Sequence, residues 1–320
     1  MNLKDALSAV APVVGDGKLI PQHAYVLWDG TLLHATDGRQ WVEVQVDGNW
    51  HADRFCVRYE PLRKALEREH TAIQSDGDNG LIVRYGRGRA RLRGIDPASF
   101  PLLEKPAVTG ILALPADFHE RVRDLLAFCA DGDGHVWQQA VHVYGNMLFA
   151  ANSFALAKTV MDRTLDVGVG IPAWACKFIA SREGEPPFLR ERGDSMISLS
   201  WEGIELFTTL LTQNVPGNII GFASNIIVPT DPVPEGLKEA VERIAEFGGK
   251  TCRIGNGEIT YGAEAVELVD GLDVVTGPAK TWGVDSLGPA LKHASLLDLS
   301  NTNATWAGEG YMGVFSGRAD

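Results

Sequence analysis

No stretch of this 320-residue chain approaches eighteen consecutive apolar residues, which excludes a transmembrane helix. The opening residues, MNLKDALSAV, lack the basic, apolar and small-residue order of a secretory leader. Cysteine is scarce. Cys56, Cys129, Cys176 and Cys252 stand far apart with no C-x-x-C pair, which excludes a zinc ribbon and a thiol-redox motif. They read as reduced core residues of a cytoplasmic protein. The signatures of covalent chemistry are missing as well: no G-x-S-x-G, no Walker loop and no G-x-G-x-x-G. His119-Glu120 has no second histidine four residues after the first, so the H-E-x-x-H zinc motif fails. The Asp131 to Gly134 run, DGDG, lacks the spaced oxygens and distal glutamate of a calcium loop and reads as a turn. The eight histidines form no ligand set. The expectation is a protein that is not an enzyme and needs no metal or cofactor.

Positive charge is in deficit overall, with a net charge of −12, yet the deficit is uneven. Residues 1–108 carry equal numbers of basic and acidic side chains; the acidic excess lies in 109–228 and 229–320. A neutral head and an acidic tail suit head-to-tail association. Contacts of that kind close into a ring when the rotation permits.

Against this background one run stands out: Arg84 to Pro101, RYGRGRARLRGIDPASFP. Arg87, Arg89, Arg91 and Arg93 sit two apart, so on a strand they share one face, with Gly88, Ala90 and Leu92 on the other. Asp96-Pro97 supplies turn chemistry at the end. Four like charges on one face call for an acidic partner or a phosphate backbone. The same pattern also fits a solvated edge strand, charged to prevent wrong pairing.

The chain repeats itself weakly every 105 to 120 residues or so, well beyond solenoid periods. Each copy has two halves. The first is an amphipathic helix, then strand, turn, strand: helices at Leu3 to Val10, Ala116 to Ala130 and Pro234 to Phe247, with turns at Asp29-Gly30, Gly145-Asn146 and Asn256-Gly257. The second half is a short apolar strand and a helix, at Phe55 to Glu69, Val169 to Glu183 and Thr281 to Ser295. Strand-rich sequence follows at Gly80 to Gly94, Ser195 to Leu211 and Asn303 to Phe315. Six helices are expected. Short Pro-containing linkers place the boundaries at 1–108, 109–228 and 229–320. The fold class is α+β: three repeated domains, each two helices packed on antiparallel sheets.

The run from Gly86 to Pro101 resembles the segment that closes the first domain of bacterial DNA polymerase sliding clamps, the polymerase III beta subunit. Gly86, Arg87, Arg89, Leu92, Ile95, Ala98, Phe100 and Pro101 match; the family's aromatic is Ala90 here. LFAANSFALA, Leu148 to Ala157, resembles a second family segment at Ala150, Leu156 and Ala157, with Phe154-Ala155 in place of a His-Arg pair. Tyr311 matches the family's C-terminal segment. The resemblance implies three clamp domains that assemble head to tail, as a homodimer, into a ring around duplex DNA. Such a ring does no covalent chemistry and tethers a polymerase. The replaced groove residues fit a divergent member serving a different polymerase, as a phage- or plasmid-encoded one would.

Three sites follow from the resemblance. The inner wall is helical, with Lys4, Arg63, Lys64, Arg68, Arg121, Arg123, Lys177, Arg182, Lys238, Arg243 and Lys292 as DNA-facing bases. Amphipathic helices carry such residues on any wet face, so these are equally ordinary surface charges. A partner-peptide groove for the polymerase and the clamp loader falls on Ala151, Phe154, Ala155, Leu156, Pro216, Ile220, Met312, Val314 and Phe315. Leu156 and Val314 serve equally well as plain core. The subunit interface falls on Arg87, Arg89, Ala90, Leu92 and Phe247, with Glu264 and Glu267, and beyond them Asp270 and Asp273, as acidic partners. Two other functions fit the pattern: a clamp-fold decoy that binds clamp partners without encircling DNA, and a nucleic-acid-binding protein that uses the Arg84 to Arg93 face directly.

Overall fold

The computed structural model describes residues 1–47, 54–70, 72–77, 79–132, 134–182, 188–193, 195–211, 214–263, 266–272 and 278–319. The first repeat opens with α1 (Leu3–Val10), which buries Leu3, Ala6, Leu7 and Val10 at helical spacing and is capped by Asn2, whose Oδ1 accepts from the Asp5 N–H at 3.0 Å. Three strands follow: β1 (Tyr25–Trp28), β2 (Leu32–Thr36) and β3 (Gln40–Gln45). The turn at Asp29-Gly30 is the expected hairpin. Asp29 Oδ1 accepts from the Thr31 and Leu32 N–H groups, both at 2.8 Å, and Gly30 takes a φ of 110°. β4 (Phe55–Arg58) runs straight into α2 (Tyr59–Glu67), with Pro61 in its first turn, where a missing N–H breaks no bond. β5 (Ala72–Ser75), β6 (Leu81–Tyr85) and β7 (Gly88–Leu92) complete the repeat.

The arginine run is thus a hairpin, not one strand. Gly86, at φ 49°, and Arg87 form the turn. Arg84 stands on β6, opposite Arg89 of β7. Within β7 the expected alternation holds: Arg89 and Arg91 are exposed, Ala90 and Leu92 half-buried.

The second repeat has β8 (Val108–Ala113), α3 (Phe118–Leu126), β9 (Ala140–Ala151), β10 (Ala155–Pro172), α4 (Ala173–Ala180), β11 (Phe188–Arg192), β12 (Met196–Trp201) and β13 (Ile204–Thr209). The expected turn at Gly145-Asn146 is absent. β9 runs through it, and Gly145, at φ 61°, sits at a register shift against β10. The chain reverses instead at Asn152, whose Oδ1 accepts from the Phe154 and Ala155 N–H groups, both at 2.8 Å. After an unexpected short helix, α5 (Gly217–Ser224), the third repeat has α6 (Leu237–Glu246), β14 (Thr251–Gly255), β15 (Glu258–Ala263), β16 (Val266–Gly271), β17 (Lys280–Gly283), α7 (Val284–His293), β18 (Leu296–Asp298), β19 (Asn303–Gly308), β20 (Tyr311–Ser316) and β21 (Arg318–Ala319).

One pairing rule recurs in all three repeats. The strand after the first helix pairs antiparallel with the strand before the second, at Tyr25↔Arg58, Ala140↔Pro172 and Thr251↔Gly283. The two helices that these strands deliver pack on each other: α1 on α2, α3 on α4, and α6 on α7.

The chain divides into two compact units. The first, Met1–Ala116 with Ser181–Leu210, holds an eight-stranded sheet in the order β4-β1-β2-β3-β13-β12-β11-β8 and a separate sheet, β5-β6-β7. The second, Asp117–Ala180 with Leu211–Asp320, holds β18-β19-β20-β10-β9 and β16-β15-β14-β17-β21. In two of these sheets the first half of one repeat is continued by the second half of the next. β3 pairs with β13 from Ile204↔Val44 to Thr208↔Gln40. The start of β10, the counterpart of β3, pairs with β20 from Ala155↔Phe315 to Thr159↔Tyr311. By the same correspondence β16 matches β3, and β7 matches β13 and β20. Each lies at the end of its sheet.

Candidate groove, sheet edges and basic helix faces

The groove lies within the second unit. Its sheet side is Ala151 of β9, Ala155 and Leu156 of β10 and Val314 of β20; Phe154 rises from the β9–β10 turn. Ile219 and Phe222 of α5 form the facing side. The cavity measures about 330 Å³. Beneath it Trp137, Met147, Phe149, Ala151, Leu156 and Ala223 form one buried cluster, against which Val215, Ile219, Ile220 and Ile226 pack. The floor is braced by His142. Its ring stacks near Phe149, with centroids 5.1 Å apart, and its Nε2–H donates to the Trp137 carbonyl at 2.6 Å. Burial pushes the His142 pKa down, so the ring is neutral near pH 7.

Five of the nine groove residues expected from the sequence line this cavity: Ala151, Phe154, Ala155, Leu156 and Val314. Two more support it: Pro216 caps α5, and Ile220 packs on its cluster. Phe315 does not belong there. On a strand it points opposite to Val314, and it is buried edge-on against Trp282 at 5.3 Å. Met312 lies further along β20, opposite Lys158, and is outside the cavity wall. The sequence reading missed Trp137, Gln138, Ile219, Phe222, Asn303 and Ser316. The apolar run at Ile219 to Phe222 was the available signal for the helix side.

At the edges, Arg87 and Arg89 are exposed, and Ala90 and Leu92 lie half-buried in β7. Arg91 is engaged by Asp76, and Arg84 donates to Gln74 at 3.1 Å. At the other edge Val269 of β16 is exposed, and Arg243 of α6 reaches Asp270 at 3.2 Å. Phe247, just past α6, is exposed. Glu264 and Asp273 lie outside the described residues; Glu267 falls on β16.

The basic helix residues divide. Lys4, Lys64, Arg68, Arg123, Lys177 and Lys238 are exposed. Arg63 is held by Glu60, at 3.0 Å, and by Glu67 on its own helix. Two expected DNA contacts are directed inward. Arg182 donates to the carbonyl of Ala9 at 2.6 Å, and its burial lowers its pKa. Arg121 is held by Asp117 at 2.6 Å and donates to Thr159 and to the Val160 carbonyl. Lys292 is exposed but bonds Asp124 at 2.7 Å. Asp124 also accepts from the Tyr311 hydroxyl at 3.1 Å and lies 3.5 Å from His293. Burial works to raise the Asp124 pKa, but Lys292, His293 and Tyr311 together hold it below the usual carboxylate range.

No protein-family model and no curated protein sequence matches this chain. Solved structures do. The DNA polymerase III beta subunit from Thermotoga maritima superposes with a TM-score of 0.78 at 16% identity, over 100% of this chain and 97% of that one. A sliding clamp, DNA polymerase III subunit beta, from Bartonella birtlesii bound to griselimycin gives 0.81 at 15% identity, over 99% and 97%. A beta clamp from Helicobacter pylori bound to a DNA ligase peptide gives 0.76 at 12% identity, over 99% and 98%. The chain has the sliding-clamp fold along its whole length.

Proposed function

We propose that this protein is a DNA sliding clamp. It has three domains, 1–108, 109–228 and 229–320, and two copies join head to tail into a ring around duplex DNA. The observation that carries the reading is the pair of sheet edges. Twice within the chain a first-half sheet is completed by the next repeat's second half. β16 and β7 are the strands left over, and β7 of one copy completes the sheet ending in β16 of the next. The exposed arginines of β7 then meet an acidic segment, and Phe247 and Val269 supply apolar contact beside the seam.

The ring acts by topology rather than covalent chemistry. The exposed Lys4, Lys64, Arg68, Arg123, Lys177 and Lys238 offer positive charge to phosphates without reading bases. Arg121 and Arg182 hold the scaffold instead. The groove beside α5 docks short peptides of the polymerase, the clamp loader and other DNA-acting partners, as a clamp of this fold bound to a ligase peptide supports. Such a protein works where the DNA is, in the cytoplasm.

The test is retention. Loaded onto nicked circular duplex, the protein stays bound through gel filtration at moderate salt and is released when the circle is cut. Equal binding to linear and circular DNA, falling steeply with salt, would instead support direct gripping by the β7 arginines.

A further inference from the structure

The first repeat holds a cavity of its own where the second holds the α5 groove. The groove wall includes Gln138, from the single-turn helix Val136–Gln139 that leads into β9, and Asn152, Ser153 and Phe154 of the turn before β10. The first repeat has a single-turn helix at the same place, Pro21–Ala24 before β1, and the same turn before β3. Asp37 Oδ1 accepts from the Arg39 and Gln40 N–H groups at 2.8 and 3.0 Å, as Asn152 Oδ1 does from Phe154 and Ala155. The cavity there measures about 720 Å³ and lies wholly within the first unit. His23, Asp37, Gly38 and Arg39 stand in its wall where Gln138, Asn152, Ser153 and Phe154 stand in the groove.

The chemistry of the two walls differs. The segment Val14 to Ile20 takes the place of α5 and sets Leu19, 96% exposed, and Ile20 at the rim. His23 is fixed against backbone. A Cβ on Gly38 would stand 2.5 Å from its Cε1, and one on Gly15 would stand 2.7 Å from its Cβ. The two carboxylates of the wall are turned to their own loops. Asp37 Oδ2 accepts from Gln40 Nε2 at 3.3 Å, and Asp16 accepts from the Lys18 N–H at 2.9 Å and lies 3.1 Å from its ammonium. The Arg39 guanidinium is 63% exposed and 3.9 Å from Asp37. Its five N–H donors can serve that carboxylate and a second one.

We propose that this cavity is a second docking site, for an acidic peptide segment whose carboxylate is held by Arg39 and His23 and whose aliphatic neighbour covers Leu19 and Ile20. The choice of a peptide rests on reading the α5 groove, its counterpart, as a peptide site. The choice of an acid rests on the wall. An incoming carboxylate gains charge-assisted hydrogen bonds from the guanidinium fork. An alkyl side chain beside it takes the exposed surface of Leu19 out of water. A basic segment would set its charge against Arg39, and the carboxylates it could meet are already engaged. With Phe154 on one turn and Arg39 on the other, the two sites sort their partners by charge.

The test is calorimetric titration of the full chain with three capped peptides: acetyl-Gly-Leu-Asp-Asp-Leu-Gly-amide, and the same peptide with Asn-Asn or Lys-Lys in place of Asp-Asp. The acidic peptide binds about tenfold or more tightly than the other two, the step that one charge-assisted hydrogen bond supplies. Arg39→Glu, a change at an exposed position, abolishes that preference, and Leu19→Ser weakens the acidic peptide. Phe222→Ala, in the α5 groove, does not change its affinity. A wild-type protein that binds the Asn peptide as tightly as the acidic one overturns the proposal, as does a protein that binds none of them. So does an acidic peptide whose binding survives Arg39→Glu and is lost with Phe222→Ala. A single-stranded oligonucleotide that binds through Arg39 and that the acidic peptide does not displace would assign the cavity to nucleic acid and overturn the proposal too. Retention on circular DNA is scored separately. A protein retained on circles that ignores the acidic peptide loses only this second site; one that binds the peptide through Arg39 but is not retained loses only the clamp reading.

Discussion

At the scale of single residues, a cluster of charged and imidazole groups around β2 and β3 is paired, and that pairing shapes the acid behaviour of the fold. His34 lies 2.9 Å from Asp29 and 3.5 Å from Glu43, and Lys105 lies 2.5 Å from Glu43. Partial burial works against the Asp29 carboxylate, but bonds from the Leu32 N–H, from His34 and from the Thr31 N–H lower its pKa to about 2. A carboxyl depressed in the folded state stabilises above its unfolded pKa, near 3.8, and that contribution is lost as pH falls through about 2. Asp29→Asn is therefore expected to lower stability near pH 7 by about 1 to 2 kcal/mol. Urea titrations should show the deficit shrinking below pH 4. A deficit independent of pH would assign it to lost packing instead. The cysteines are simpler. Burial raises the thiol pKa of Cys56, Cys129 and Cys252 to about 12 and pushes that of Cys176 well above the usual thiol value. None of the four should react with a thiol reagent at pH 8 until the protein is unfolded. Fast labelling of the native protein would contradict this. Cys56, Cys176 and Cys252 are buried, as the reading from their spacing expects, while Cys129 is only partly buried.

At the scale of elements, the joint between β10 and β20 is close enough to admit nothing larger than glycine. A Cβ on Gly313 would stand 2.4 Å from the Leu156 carbonyl oxygen and 2.5 Å from Trp306 Nε1. Gly313→Ala should cost about 1 to 3 kcal/mol by forcing the strands apart, seen as a lowered Tm and weaker peptide binding at the adjacent groove. An unchanged Tm would mean that the joint gives way freely. Helices were the most legible elements in the sequence, because apolar spacing announces α1, α3 and α6. Turns were less so. Glycine marks both Gly86 and Gly145, yet one reverses the chain and the other kinks a continuous strand. Only the partner strand's register separates these outcomes. α5 was missed because GNIIGFAS has no polar face to give it a helical period; its exposed apolar side is the groove wall.

At the scale of the whole molecule, charge asymmetry and weak repetition in the sequence fit the proposed head-to-tail assembly, and the strand correspondences leave β16 and β7 as the edges through which it would form. What the sequence could not reveal is which strands are left over, since that depends on pairing between distant repeats. The most direct test of the ring is native mass by light scattering at micromolar concentration, across a salt series. The account predicts a particle of two 34.6 kDa chains, loosened by salt and reduced to a single chain by Arg87→Glu combined with Arg89→Glu. A wild-type protein that stays a single chain at every salt concentration, or a double variant with unchanged mass, would contradict it.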